Sequence, residues 1–249
     1  MFKVGWFSTG RDKAAIKLLK TVCKAIDTGE VKAKISFCFS NRAPGETEAS
    51  DHFFDELKRR DIPLVYLSSA GFKVEERKED IERWRADYDM KVKELICGLE
   101  VDLIVLAGYM LIVSPNLCGT YNMINLHPAL PGGPTGTWQE VIKELRRVKA
   151  DETGAMMHLV TSELDRGQPI SYFRFPIRGT SFDLIRGKGV QREMPLILLT
   201  IKEFAEGNLR IEDGKVFAGG EALKHGYDLT EKIELWLSYH ASGIKHRGE

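Results

Sequence analysis

Two polar residues interrupt an apolar run in the stretch Met123 to Gly133, MINLHPALPGG: Asn125 and His127. Side chains of a strand alternate faces, so residues two apart point the same way. An amide beside an imidazole can do chemistry. The amide donates to an oxygen on which negative charge develops, and the imidazole moves protons near neutral pH. Pro128 cannot donate to a strand ladder, which sets the pair at the carboxyl end of its strand, ahead of the turn-rich rim PALPGGPTGT. A third group follows in TSELDRGQPI, a loop between two strands that carries Asp165. A carboxylate near an imidazole favours imidazolium and fixes its orientation. Spacing alone leaves a core histidine and a structural turn aspartate as an equally good reading.

The elements that would position these residues are legible as alternating patterns. Phe2 to Phe7, VKAKISFCFSN, IPLVYL, VDLIVLAGY and MINLH read as strands. Between them, apolar residues recur at helical spacing over Lys13–Ile26, with Ile16, Leu19, Val22, Cys23 and Ile26 on one face. Glu46–Arg60 is a second helix. Glu75–Leu99 is a longer one, with Ile81, Trp84, Tyr88, Val92, Leu95 and Leu99 on the buried face and its charges on the solvated one. Continuous apolar strands alternating with helices predict an α/β fold: a doubly wound, mostly parallel sheet covered on both sides. In such a sheet a site is expected at the carboxyl ends of strands. The second half adds strands at GAMMHLV and PISYFRFPI, a helix from about Val190 to Glu206, a hairpin turning at Asp213-Gly214, and a helix near DLTEKIELWLSYH.

The formal net charge is +0 over 249 residues, which gives no global attraction to nucleic acid or to an anionic membrane. No apolar run approaches the roughly 20 residues that span a bilayer. The opening MFKVGWFSTGRDKAA lacks the long apolar stretch of a signal peptide, so a cytoplasmic protein is expected. Cys23, Cys38, Cys97 and Cys118 are dispersed among apolar neighbours with neither metal nor redox spacing, and core positions are expected for all four.

The pair of motifs INLHPALP and TGAMMHLVTSELDRGQPI resembles the 10-formyltetrahydrofolate-dependent formyltransferases, and within them the glycinamide ribonucleotide branch. FSNR, VDLIVLAGYMLIVSP and the Glu193-to-Gly207 helix extend the similarity, which runs from about Phe2 to Leu209. The resemblance implies a formyltransferase fold, Rossmann-like, with 1–218 as the catalytic domain and 219–249 as an extension of unknown role. It implies 10-formyltetrahydrofolate as co-substrate, small-molecule partners, no nucleic acid, no membrane, no metal, and a monomer or homodimer. Asn125 matches the asparagine that holds the formyl oxyanion, His127 the essential histidine, and Asp165 the aspartate that orients the histidine and a water. His158 also matches a family histidine, with a buried, hydrogen-bonded structural histidine as the other reading. The family pteridine pocket maps onto Met110, Leu111, Ile112 and Val113, and onto Val160, Thr161, Ser162, Glu163 and Leu164. Glu193 matches a residue that contacts the acceptor's ribose.

Gly10, Arg11, Asp12 and Lys13 match the loop whose amides cradle the acceptor phosphate. This use of a helix start is physically sound. Here the loop reads STGRDKAA: Gly10 and Arg11 survive, while Asp12, Lys13 and Ala14 replace small polar residues. Asp12 is a good cap for a helix start and would repel a phosphate, with Arg11 and Lys13 available to compensate. Leu111 stands where the family often has an arginine for the folate tail, and RGKGVQRE places glycines before Glu193. The expected function is formyl transfer to the amine of glycinamide ribonucleotide in purine biosynthesis. The alternatives are a sugar-nucleotide N-formyltransferase, a 10-formyltetrahydrofolate hydrolase, and a folate-binding module without turnover.

Overall fold

A computed structural model describes residues 1–241. The chain divides into two compact units. The first comprises Met1–Asn125, Leu159–Gly167 and Phe204–Gly207; the second comprises Leu126–His158, Gln168–Glu203 and the described residues from Asn208 on.

In the first unit, β1 (Phe2–Phe7) turns through Ser8–Asp12 into α1 (Lys13–Asp27). Then follow β2 (Ala33–Ser40), α2 (Glu48–Arg59) and β3 (Leu64–Tyr66). The chain continues as α3 (Val74–Glu79), α4 (Ile81–Ile96), β4 (Leu103–Leu106), the short α5 (Pro115–Cys118) and β5 (Met123–His127). These five strands lie in the order β5-β4-β1-β2-β3, every pairing parallel. The winding reverses between β1 and β4, as the doubly wound reading requires, and the crevice at their carboxyl ends is the place where such sheets bind ligands. β4 reads LIVL with every residue buried, the pattern of a parallel strand covered on both faces.

The expected single helix over Glu75–Leu99 is two helices. Asp80 adopts an extended backbone (φ −145°, ψ 93°), ends α3, and caps α4 by accepting from the Arg83 N–H at 3.0 Å. An aspartate three residues ahead of that amide was the available signal. The buried face also differs. Trp84, Tyr88, Val92 and Ile96 enter the core with Phe7, Phe37, Phe39 and Ile104, while Ile81, Leu95 and Leu99 are exposed. Trp84 and Tyr88 stack with ring centroids 5.0 Å apart, an arrangement worth ~0.5–1.5 kcal/mol beyond area burial. Asp89, expected on the solvated face, is buried. Two cysteines depart from expectation as well: Cys23 and Cys38 are buried, Cys118 is half-buried and Cys97 is exposed.

The second unit opens with α6 (Trp138–Arg147), a helix hidden at sequence level behind the Gly/Pro-rich rim. Its start is a full capping box: Thr137 accepts from the Glu140 N–H, and the Glu140 carboxylate accepts from the Thr137 N–H at 2.7 Å. β6 (Glu152–Leu159) pairs antiparallel with β7 (Pro169–Pro176). α7 (Phe182–Ala205) starts well before the expected Val190, since Gly187 and Gly189 are accommodated inside it. β8 (Leu209–Glu212) and β9 (Lys215–Ala218) form the expected hairpin, with positive φ at Asp213 and Gly214. β10 (Glu221–Ala222) pairs with β9, and β11 (Tyr227–Asp228) lies parallel on β7 before α8 (Thr230–Ala241). Of the expected extension 219–249, residues 242–249 lie outside the described residues.

Candidate functional site

The crevice of the first unit is built by backbone and short polar side chains. Thr9 donates its N–H to the Gly108 carbonyl at 3.2 Å, and its hydroxyl donates to the Asn41 side-chain oxygen at 2.7 Å. The same hydroxyl accepts from the Met110 N–H at 3.1 Å, and the Asn41 amide donates to Ser69 at 3.1 Å. One threonine therefore ties the turn after β1 to the turns after β2 and β4. Gly10 takes a left-handed backbone (φ 60°) and lies directly on Phe53, where a Cβ would stand only 2.9 Å from the ring. No other residue type meets both demands.

Asp12 caps α1 as expected, accepting from the Ala14 and Ala15 N–H groups at 3.0 and 3.1 Å. Those amides are among the donors a helix start would offer an anion. Arg11 is exposed and reaches across the crevice: its Nη1 lies 3.2 Å from the Met110 sulfur, and its Nε lies 3.5 Å from the Asp12 carboxylate. Lys13 is exposed at the first position of α1.

Two segments of the first unit converge on one core cluster. Leu111, Val113 and Val160 all pack into or against it, and the Val160 N–H donates to the Met123 carbonyl at 2.8 Å. Val113 is buried in that cluster, whereas Met110, Ile112 and Leu164 are exposed apolar side chains. Beneath the first segment, Ser114 donates its N–H to the buried Asp89 carboxylate at 2.5 Å. Burial pushes the Asp89 carboxyl up to about 6, with the Ser114 amide opposing the rise.

The second segment is a tight excursion. Thr161 donates its hydroxyl to the Glu163 carbonyl and accepts from the Glu163 N–H, closing the turn on itself. Asp165 is half-buried and sits in the left-handed region at φ 54°, a conformation aspartate tolerates better than most residues. Gly167 then passes so close to the Leu159 carbonyl that a Cβ would lie 1.7 Å from its oxygen. That contact fixes where the excursion ends.

Asn125 and His127 stand two residues apart on β5, the former half-buried and the latter buried. The rim folds back on the histidine: His127 Nε2 lies 2.8 Å from the Pro134 carbonyl oxygen. A carbonyl can only accept, so Nε2 carries the hydrogen of this contact. His158 of β6 is also buried and meets His127 edge-on, with centroids 6.3 Å apart and planes at 83°. The strand register slips between Met157 and His158, which re-aims the histidine at the end of its strand.

Glu193 lines a cavity of about 20 Å³ in the second unit, together with Pro128, the residue after His127. Its Oε1 accepts from Arg186 Nη1 at 2.6 Å, and the Arg186 guanidinium lies 4.7 Å from the centre of the Trp138 ring. Burial raises the Glu193 carboxyl while the guanidinium opposes the rise. Sequence reasoning singled out neither Arg186 nor Trp138. The i,i+7 spacing of Arg186 and Glu193 on one helix was the signal that could have found the pair.

Comparison with known proteins identifies the class. A family model described as formyl transferase matches residues 15–181, and the chain belongs to that family. The phosphoribosylglycinamide formyltransferase of Haemophilus influenzae is 29% identical, over 84% of this chain and 92% of its own. A formyltetrahydrofolate deformylase of Bacillus subtilis is 30% identical, over 56% of this chain and 40% of its own. The solved structure of a phosphoribosylglycinamide formyltransferase from Coxiella burnetii superposes with a TM-score of 0.71 at 24% identity, over 91% of this chain and 98% of its own. Among the described residues no group of three or more His, Cys, Asp or Glu is placed to hold a metal ion, and no helix is long and apolar enough to cross a membrane.

Proposed function

We propose that this protein transfers the formyl group of 10-formyltetrahydrofolate to the primary amine of glycinamide ribonucleotide, a step of purine biosynthesis. The observation that carries the reading is the Asn125–x–His127 pair at the end of β5 in a chain of the formyl transferase family. The amine nitrogen attacks the formyl carbon, and the carbonyl electron pair moves onto oxygen. Asn125 donates its amide hydrogen to that oxygen, and protonated His127 supplies positive charge beside it. The C–N bond to the folate nitrogen then breaks, as one proton leaves the attacking nitrogen and one reaches the departing nitrogen through water held by Asp165. Stabilising an oxyanion with one such donor is worth ~2.7–4 kcal/mol at the transition state.

The donor's pteridine is assigned to Met110, Leu111, Ile112, Val113, Val160, Thr161, Ser162, Glu163 and Leu164. The exposed apolar side chains of Met110, Ile112 and Leu164 suit a flat heteroaromatic ring. The acceptor is assigned to Gly10, Arg11, Asp12, Lys13 and Glu193. The catalytic domain is assigned to 1–218, with the extension 219–249 joined to it through β10 on β9 and β11 on β7. The proposed compartment is the cytoplasm and the proposed state a monomer or homodimer acting on small molecules.

One observation favours a second reading, hydrolysis of 10-formyltetrahydrofolate with water as acceptor. Asp12 already occupies two amides that a phosphate would use. A single assay separates the readings: purified protein is mixed with 10-formyltetrahydrofolate, with and without glycinamide ribonucleotide, and tetrahydrofolate release is followed. Release that requires glycinamide ribonucleotide is the expected result. Equal release without any amine establishes the hydrolase instead, and folate binding with no release overturns both.

A further inference from the structure

The cavity beside Pro128 holds a device that the reaction chemistry does not itself require. Glu193 and Arg186 project from α7 seven residues apart, on the same side of the helix. Arg186 makes one hydrogen bond to the carboxylate, through Nη1 to Oε1. Its guanidinium is held in place by the face of Trp138 at the start of α6, and Trp138 in turn packs against Phe182, with ring centroids 5.8 Å apart. An arginine stacked in this way is pre-oriented, so little rotamer freedom is lost when it binds a carboxylate. The pair is mostly withdrawn from water: the Arg186 side chain is 30% exposed and that of Glu193 18%.

We propose that Arg186, braced on Trp138, is a positioning residue of the acceptor subsite: it clamps Oε1 of Glu193 and turns Oε2 into an acceptor for the hydroxyl groups of a sugar-bearing amine. The inference rests on the acceptor reading above. The remaining walls of the cavity are uncharged. They come from the residue after β5 (Pro128), from α6 (Trp138 and Ile142), from β6 (Thr153 and Gly154), from β7 (Phe175) and from α7 itself (Ile185 and Gly189), so among the described residues lining the cavity Arg186 is the one charged neighbour of Glu193. A carboxylate in such surroundings tends towards its neutral form, which accepts hydrogen bonds less well. The Arg186 guanidinium opposes that tendency and fixes which oxygen is presented. Specificity follows from the same arrangement. An acceptor lacking the hydroxyls leaves a partly buried oxygen without its donor, a mismatch to which binding sites are sensitive.

The test is steady-state kinetics of the full-length chain with 10-formyltetrahydrofolate and two acceptors, glycinamide ribonucleotide and its 2′,3′-dideoxy analogue. Arg186→Gln is expected to raise the KM for glycinamide ribonucleotide about tenfold at pH 7. Its kcat and folate KM should stay within about twofold of wild type. The rise should grow as pH falls and shrink as pH rises, because the variant's Glu193 protonates at higher pH than in wild type. Arg186→Lys, which keeps the charge, should recover part of the loss. With the dideoxy analogue, wild type and R186Q should have equal KM values. An unchanged KM in R186Q, or the same rise with both acceptors, overturns the proposal. If R186Q does not fold, Trp138→Leu is scored on the same split between acceptors. Wild-type protein that releases no tetrahydrofolate with glycinamide ribonucleotide refutes the acceptor reading itself. Wild-type turnover with an insensitive R186Q refutes only the role of Arg186.

Discussion

Gly10 and Asp165 share nearly the same backbone conformation, φ 60° and 54°, in two loops of the first unit, for opposite reasons. Under Gly10 lies the ring of Phe53, and the position is defined by the side chain it cannot have. Asp165 carries a side chain in the same left-handed region, which aspartate tolerates better than most residues. Its loop is closed by Thr161 on one side and by the Gly167–Leu159 contact on the other. A positive φ therefore has two meanings. At one loop it marks a steric floor, at the other a residue held in a sparsely populated region by the closed turn around it.

Substitutions sharpen the contrast by splitting turnover from stability. The largest effect is expected at Asp165, the carboxylate proposed to hold the proton-relaying water. Asp165→Asn keeps a residue type that tolerates the left-handed region, so the melting temperature should stay near wild type while kcat falls by ~10²–10⁴. A folded Asp165→Asn enzyme with wild-type kcat would remove the aspartate from the mechanism. Next comes Gly10→Ala, which meets both the left-handed penalty and the Phe53 ring. Denaturant unfolding should show a loss of about 2–4 kcal/mol. A loss below about 0.5 kcal/mol would mean that the loop relaxes freely and the comparison fails. Smaller still is Asp165→Gly: relief of the left-handed strain and the added freedom of the unfolded chain nearly cancel. Its stability should lie within about 1 kcal/mol of wild type, with kcat as low as in the asparagine variant. The smallest effect belongs to Asp12→Gly, which should cost only a few tenths of a kcal/mol as a cap and lower the KM for glycinamide ribonucleotide by opening the Ala14 and Ala15 amides. An unchanged KM would place the acceptor phosphate away from α1.

How much of this was legible in the sequence differs by element. The five parallel strands and α1 were readable because their periodicity is uninterrupted. The Glu75–Leu99 run was not read as two helices, because Asp80 sits among so many other charges that its capping role is invisible without knowing its backbone. α6 was missed behind a glycine- and proline-rich rim, although Thr137 and Glu140 spell a capping box. In α7 the two glycines argued for a later start, and tertiary packing overrode their weak propensity. At the site, Asn125 and His127 were readable from strand alternation, since their relation is local. The left-handed aim of Asp165, the Pro134 carbonyl on His127 and the Trp138–Arg186–Glu193 stack were not. Each depends on chain closure or on a partner from another element, which spacing does not encode.

The self-capped start of α1 has a consequence for how an anion exchanges there. A helix whose first amides point at solvent gains stability when a ligand arrives, and its folding is coupled to ligand concentration. α1 carries its counter-anion on its own chain, so two of those amides are satisfied before any dissolved anion arrives. Any anion that binds the Ala14 and Ala15 amides must evict the Asp12 carboxylate. Its affinity is then the difference between two anions competing for one pair of donors, and the release of Asp12 is part of the binding event.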